Sequence, residues 1–147
     1  MTLATGAYVL AQKQHLAECE QDLDNLRALL QERPWSRIER AASERTLQVL
    51  IESCIGIAKH WAKAATGHLA PEPRKAIEAL QQKGLIDHSV PWRKVIGLRN
   101  VLVHDYLEVD LEVLEAVIRE AHYKPLIQFA HQGLGALDPN TRQPSIE

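Results

Sequence analysis

Between residues 36 and 65 the apolar side chains Leu47, Leu50, Ile51, Cys54, Ile55, Ala58, Trp61, Ala62 and Ala65 recur at steps of three and four. Such steps follow the turn of an α-helix, so the segment is predicted to form one long helix with a broad apolar stripe. A stripe of this length has to be covered by another long element. The sequence supplies one just upstream, where Leu16, Cys19, Leu23, Leu26 and Leu30 share the same period and Pro34 closes the run. The two are expected to pack as an antiparallel hairpin. No alternating strand pattern and no internal repeat occurs in the 147 residues, which makes the expected fold class all-α.

Shorter helices should complete the bundle. Gly67, Pro71 and Pro73 break the long helix, and residues 74–83 read as a short helix ended by Gly84 as a left-handed cap, with Leu85 and Ile86 folding back. Ser89, Val90 and Pro91 form a start signal, with a polar cap candidate and a first-turn proline, for a helix reaching about His104. Asp110 is expected to cap a last helix that carries Glu112 and Glu115 near its N-terminus and buries Leu111, Leu114, Val117, Ile118 and Ala121. Pro125 is expected to kink or end it. From Gly133 onward, with Gly135, Pro139 and Pro144, the composition is that of a mobile tail. The expectation is a bundle of about five helices over residues 1–132, with a flexible tail over 133–147.

Seventeen Lys and Arg against nineteen Asp and Glu give a net charge of -2, so no global field draws polyanions to the surface. Contact with nucleic acid would have to come from a local patch. The arginines Arg33, Arg37, Arg40 and Arg45 read first as a solvated helix face, with a basic groove as the lesser alternative. Cys19 and Cys54 lie far apart within helical stripes and suggest neither a zinc site nor a disulfide. There is no phosphate-cradling glycine loop, no GxSxG elbow and no HExxH pair. No cofactor and no metal are expected. The first residues lack a leader pattern and no apolar run is long enough to span a bilayer, so the expectation is a cytoplasmic protein without a membrane partner.

One segment carries candidate chemistry, running from Gly97 through Arg99, Asn100 and His104 to Asp105 and Tyr106. On a helix Asn100 and His104 stand nearly above one another, whereas Arg99 lies about 140° from His104, a gap a long side chain can bridge. A histidine whose pKa is near neutrality can take the proton of a ribose 2′-hydroxyl or return one to a leaving oxygen. An arginine can grip a phosphate and stabilise its charge. With the 2′-hydroxyl as nucleophile the reaction needs no metal, acts on RNA and not on DNA, and leaves a 2′,3′-cyclic phosphate. Asn100 would orient His104 or the substrate. Spacing leaves a structural alternative open, in which Arg99 pairs with Asp105 or another acid and His104 caps a helix C-terminus.

The run Arg99-Asn100-Val101-Leu102-Val103-His104-Asp105-Tyr106 resembles the R-x4-H-x-Y signature of HEPN-domain proteins, specifically the HepT-like toxins encoded beside minimal nucleotidyltransferase antitoxins. The similarity extends over residues 44–58, which resemble the second helix of that family, and from Leu85-Ile86 through Val95 to Arg99. Gly56 departs from the pattern, because an acid is expected there before Ile57-Ala58. The resemblance implies a HEPN-type helical bundle, a homodimer whose two Arg-His pairs face each other across a cleft, and RNA cleavage by Arg99, His104 and Asn100. Arg93 and Lys94 would add positive charge to that cleft. It also implies that the partner nucleotidyltransferase blocks the toxin by transferring AMP to Tyr106. If helix geometry persisted past His104, Tyr106 would fall near Arg99, and AMP there would oppose substrate phosphate.

Two other readings fit the same helical pattern. One is a non-catalytic HEPN module that binds a nucleotide or serves as the substrate-binding subunit of a nucleotidyltransferase. The other is a helical dimerisation protein, which would give the segment from Arg99 to Tyr106 no purpose.

Overall fold

A computed structural model describes the backbone of residues 3–140 and their side chains apart from those of 3, 4 and 106. Six α-helices make up the described fold: α1 (Leu3–Glu32), α2 (Arg37–Thr66), α3 (Pro73–Gln82), α4 (Trp92–His104), α5 (Leu111–Arg119) and α6 (Lys124–Leu137). A short 3-10 turn, Tyr106–Glu108, joins α4 to α5, and no strand occurs among the described residues. None of the helices is long and apolar enough to cross a membrane.

The hairpin expected from the two stripes is present. Its corner is held by a capping box, in which Glu39 N–H donates to Ser36 Oγ and Ser36 N–H donates to Glu39 Oε1. Arg33 closes on the same carboxylate through two bonds of 2.7 Å. The hydrogen bonds from Arg33, then that from the Ser36 backbone, hold the Glu39 carboxyl down at about 2. Trp35 Nε1 donates to the carbonyl of Leu26 at 2.9 Å, tying the corner back to α1.

α2 is the axis of the bundle and packs against α1, α3, α4 and α6. Its stripe explains this central place, because Leu47, Leu50, Cys54, Ile57 and Ala58 are fully buried and so need neighbours on several sides. The left-handed cap at Gly84 also forms as expected, with φ of 71° and a Leu85 N–H to Leu80 carbonyl bond of 3.0 Å.

Three expectations are corrected. Ser89 does not cap α4, because its hydroxyl and N–H both donate to Asp87, and Pro91 precedes the first helical residue. Pro125 neither kinks nor ends the fifth helix. α5 stops at Arg119, the backbone turns through Ala121 with φ of 55°, and Pro125 sits in the first turn of a sixth helix, where the missing N–H costs nothing.

The third correction concerns the boundary at residue 133. α6 continues through Gly133 and Gly135 to Leu137, and Gly133, Leu134 and Leu137 are buried. Gly133 marks a close approach between helices: a Cβ on it would stand 2.5 Å from Ile57 Cγ2 and 3.1 Å from Trp61 Cε3. The absence of a side chain lets α6 seat against α2. The rest of the expected tail, residues 141–147, lies outside the described residues.

Candidate functional site

α4 positions Arg99, Asn100 and His104. Trp92 and Leu102 are buried, and Val95 and Leu98 pack against the core, so one side of the helix is fixed to the bundle. Asn100 and His104, one turn apart, are exposed. Arg93 is also exposed and stands two turns before Asn100 on the same face by helical spacing. The helix ends at His104, where Asp105 adopts φ of -131° and ψ of 46°. His104 is thus in the last turn, beside carbonyls with negative partial charge.

Arg99 points elsewhere. Its side chain is only 21% exposed and leans toward α2, where Nη1 stands 3.8 Å from Glu52 Oε1. Nε is buried without a hydrogen-bond partner among the described residues. The guanidinium is therefore held on one side by a loose ion pair and keeps unsatisfied donor capacity. Among the described residues Arg99 makes no hydrogen bond or ion pair with His104 or Asp105. The acid that pairs with Arg99 comes from another helix.

Glu52 is the residue that sequence reasoning did not assign to the site. It is exposed on α2 next to the buried Ile51, a place an ordinary surface glutamate would occupy. Only the packing of α4 along α2 shows which cation it meets. Gly56, one turn further along α2, has Tyr8 as the nearest neighbour of a notional Cβ, with Oη at 3.6 Å. That is ordinary contact distance, so the backbone there would admit a side chain.

Tyr106 opens the 3-10 turn, and its side chain lies outside the described residues. The helix break at Asp105 removes the premise that Tyr106 continues the register of α4. The turn is closed by a Glu108 N–H to Asp105 carbonyl bond of 2.7 Å. It is anchored downstream by Arg40 of α2, whose Nη2 donates to the Val109 carbonyl at 3.1 Å while Nε faces Glu44 at 3.2 Å.

Of the other arginines singled out, Arg33 and Arg40 serve the fold through these contacts, whereas Arg37 and Arg45 are exposed and make no ion pair among the described residues. Arg37, Arg40, Ala41 and Glu44 line an open depression of about 380 Å³ together with Leu107 from the 3-10 turn.

The all-helical bundle of the described residues is of the HEPN type. The family model described as Ribonuclease HepT-like matches residues 12–132, and the chain belongs to that family. It is 33% identical over 85 residues to the mRNA nuclease HepT of Shewanella oneidensis, an alignment covering 56% of this chain and 63% of that protein. The match therefore spans less than two thirds of the relative's length. Among solved structures, one described as a toxin-antitoxin with AMP-PNP superposes with a TM-score of 0.67 at 19% identity, covering 88% of this chain and 96% of that one. That likeness is one of fold.

Proposed function

We propose that this chain is the toxin of a toxin-antitoxin pair and acts as a metal-independent ribonuclease through Arg99 and His104. The observation that carries this reading is the state of Arg99, a guanidinium on the same helix as the exposed His104, partly exposed and paired only loosely, at 3.8 Å, with Glu52. A phosphate oxygen arriving at the partly exposed end of this guanidinium would compete with the loose Glu52 contact and offer a shorter, charge-assisted one. Membership in the HepT-like family and the similarity to an mRNA nuclease support the substrate class.

In the reaction His104 takes the proton of a ribose 2′-hydroxyl, and the 2′-oxygen attacks the adjacent phosphorus. The bond from phosphorus to the 5′-oxygen breaks, leaving a 2′,3′-cyclic phosphate and a 5′-hydroxyl. Arg99 balances the charge that grows on the non-bridging oxygens. Asn100, on the exposed face with His104, orients the histidine or the substrate. A homodimer would set two such sites across one cleft, and the second copy of His104 would return a proton to the leaving 5′-oxygen.

The neutralisation implied by the family resemblance is compatible with the place of Tyr106 in the chain. Tyr106 opens the turn immediately after the catalytic helix, so AMP attached to it by a nucleotidyltransferase antitoxin would add a negative phosphate and bulk beside the site. The modified protein is expected to lose RNA binding together with cleavage, and full RNA affinity after AMP transfer would refute this account of neutralisation.

The decisive experiment incubates the purified chain with RNA in EDTA beside Arg99→Ala and His104→Ala. Cleavage that needs both residues and leaves cyclic phosphate ends supports the reading. Nucleotide binding by a folded protein that never cleaves RNA would favour the non-catalytic module instead.

A further inference from the structure

α4 runs antiparallel along one side of α2. Arg99, in the middle of α4, meets Glu52, while Leu107, just past its end, meets the first turns of α2 around Arg37 and Ala41. The path along α4 from Arg99 to Leu107 therefore runs beside α2 toward its N-terminal turns, where the depression lies. Arg45 lies one heptad before Glu52, and Arg37 two further turns back, so both stand on the face of α2 that carries Glu52. Their Cα atoms are separated by about 12 Å at 1.5 Å per residue.

The charges along this stretch of α2 are sorted. Arg40, which also faces the depression, is committed to Glu44 and to the Val109 carbonyl, and in that pairing it neutralises the one carboxylate lining the depression. Arg37 and Arg45 are exposed and unpaired among the described residues. In a chain with a net charge of -2, these two cations form a local positive patch on the side of α2 that also carries Glu52 and, across from it, Arg99. The depression of about 380 Å³, which Arg37 lines, is of small-ligand size and has a polar, charged wall.

We propose that Arg37 and Arg45 bind backbone phosphates of the RNA strand, on the side of the scissile phosphate that faces Leu107. The inference rests on the ribonuclease reading and adds to it the direction in which the substrate lies across the protein. Arginine suits the task, because its planar fork grips a phosphate with two donors and it is always charged. Phosphate contacts of this kind set register and affinity without reading sequence.

The test uses the full chain carrying His104→Ala, so that RNA is not consumed, and a fluorescein-labelled single-stranded RNA titrated at several salt concentrations. Adding Arg37→Gln and Arg45→Gln should weaken binding at low salt about tenfold or more and reduce the slope of log affinity against log salt by about 1.4, from roughly 0.7 per phosphate contact. Removing two charges from α3 and its C-cap instead, with Lys75→Gln and Lys83→Gln, should leave the slope unchanged. In the chain with His104 intact, the α2 double variant should raise KM far more than it lowers kcat. Equal affinity and slope in the α2 variant would overturn this inference while leaving the ribonuclease reading standing. If those variants bind RNA normally but no longer bind a nucleotidyltransferase, the surface is a protein-docking face and the inference is likewise overturned. Absence of RNA binding by the His104→Ala chain would overturn both readings.

Discussion

Arg99 Nη1 meets Glu52 Oε1 at 3.8 Å across the seam between α4 and α2, the nearest acid to a guanidinium whose Nε is buried and unpaired. A pair this long, with Glu52 44% exposed, contributes little to folding, under about 1 kcal/mol. Its effect should lie in aim. Glu52→Gln is expected to leave the thermal midpoint nearly unchanged and to lower RNA cleavage severalfold. A large drop in melting temperature would instead make Glu52 a structural residue.

His104→Ala should leave folding intact, because the side chain is exposed at the end of α4. Cleavage should fall by about a hundredfold or more, the usual contribution of a positioned general base. Circular dichroism and gel-based cleavage on the same preparation separate the two effects. Arg99→Lys tests geometry against charge, and retention of most activity would show that a fork is not required.

Gly133 and Gly135 sit two residues apart on α6 and should respond in opposite directions. Gly133→Ala forces a Cβ to 2.5 Å from Ile57 Cγ2, and the overpacking should cost about 1–3 kcal/mol. A Cβ on Gly135 meets nothing within 4 Å, so Gly135→Ala should stabilise the helix by about 0.5–1 kcal/mol. Urea denaturation of the two variants checks both signs.

Tyr123 is fully buried, and its hydroxyl donates to Asp24 Oδ1 at 2.5 Å. Lys124 Nζ stands 2.9 Å from the same oxygen and 2.7 Å from Glu20. Burial, and then the bond to the Asp24 carboxylate, pushes the Tyr123 phenol up from 10.0 to about 12. The folded state thus holds this proton more tightly than the unfolded chain. Its contribution is complete below pH 10 and is lost as pH rises through about 12. Burial also lifts the Cys19 thiol from 9.0 to about 11, so its contribution is lost slightly earlier, as pH rises through about 11. Stability to urea should therefore decline between pH 10 and 12, and less steeply in Tyr123→Phe. At neutral pH that variant should be less stable by about 1–2 kcal/mol through loss of the bond to a charged acceptor. An equal decline in both chains would assign the alkaline loss to other groups.

At Asp24 burial raises the carboxyl, but the hydrogen bonds from Tyr123 and Lys124 and the charges of Lys124 and Arg27 outweigh it and hold it below the ordinary carboxylate range. The same cluster therefore also loses stability as pH falls through that lowered value. It ties the start of α6 to α1.

The sequence by itself determined the helical class, the α1–α2 hairpin, the Asp110 and Gly84 caps and the segment that carries Arg99, Asn100 and His104. These are legible because they depend on contacts within a few residues, where helical period, capping chemistry and left-handed glycines act locally. Only tertiary structure decided that Gly133 is a packing contact and not the start of a tail, since what excludes a side chain there is Ile57 and Trp61 of another helix. The same holds for Pro125, which follows a turn through Ala121 whose positive φ no residue type announces. It holds as well for Glu52 and for the free cations Arg37 and Arg45. A charged residue on a helix surface looks the same in sequence whether it faces water or a neighbour, and only the packing of α4 along α2 selects which charge Arg99 meets.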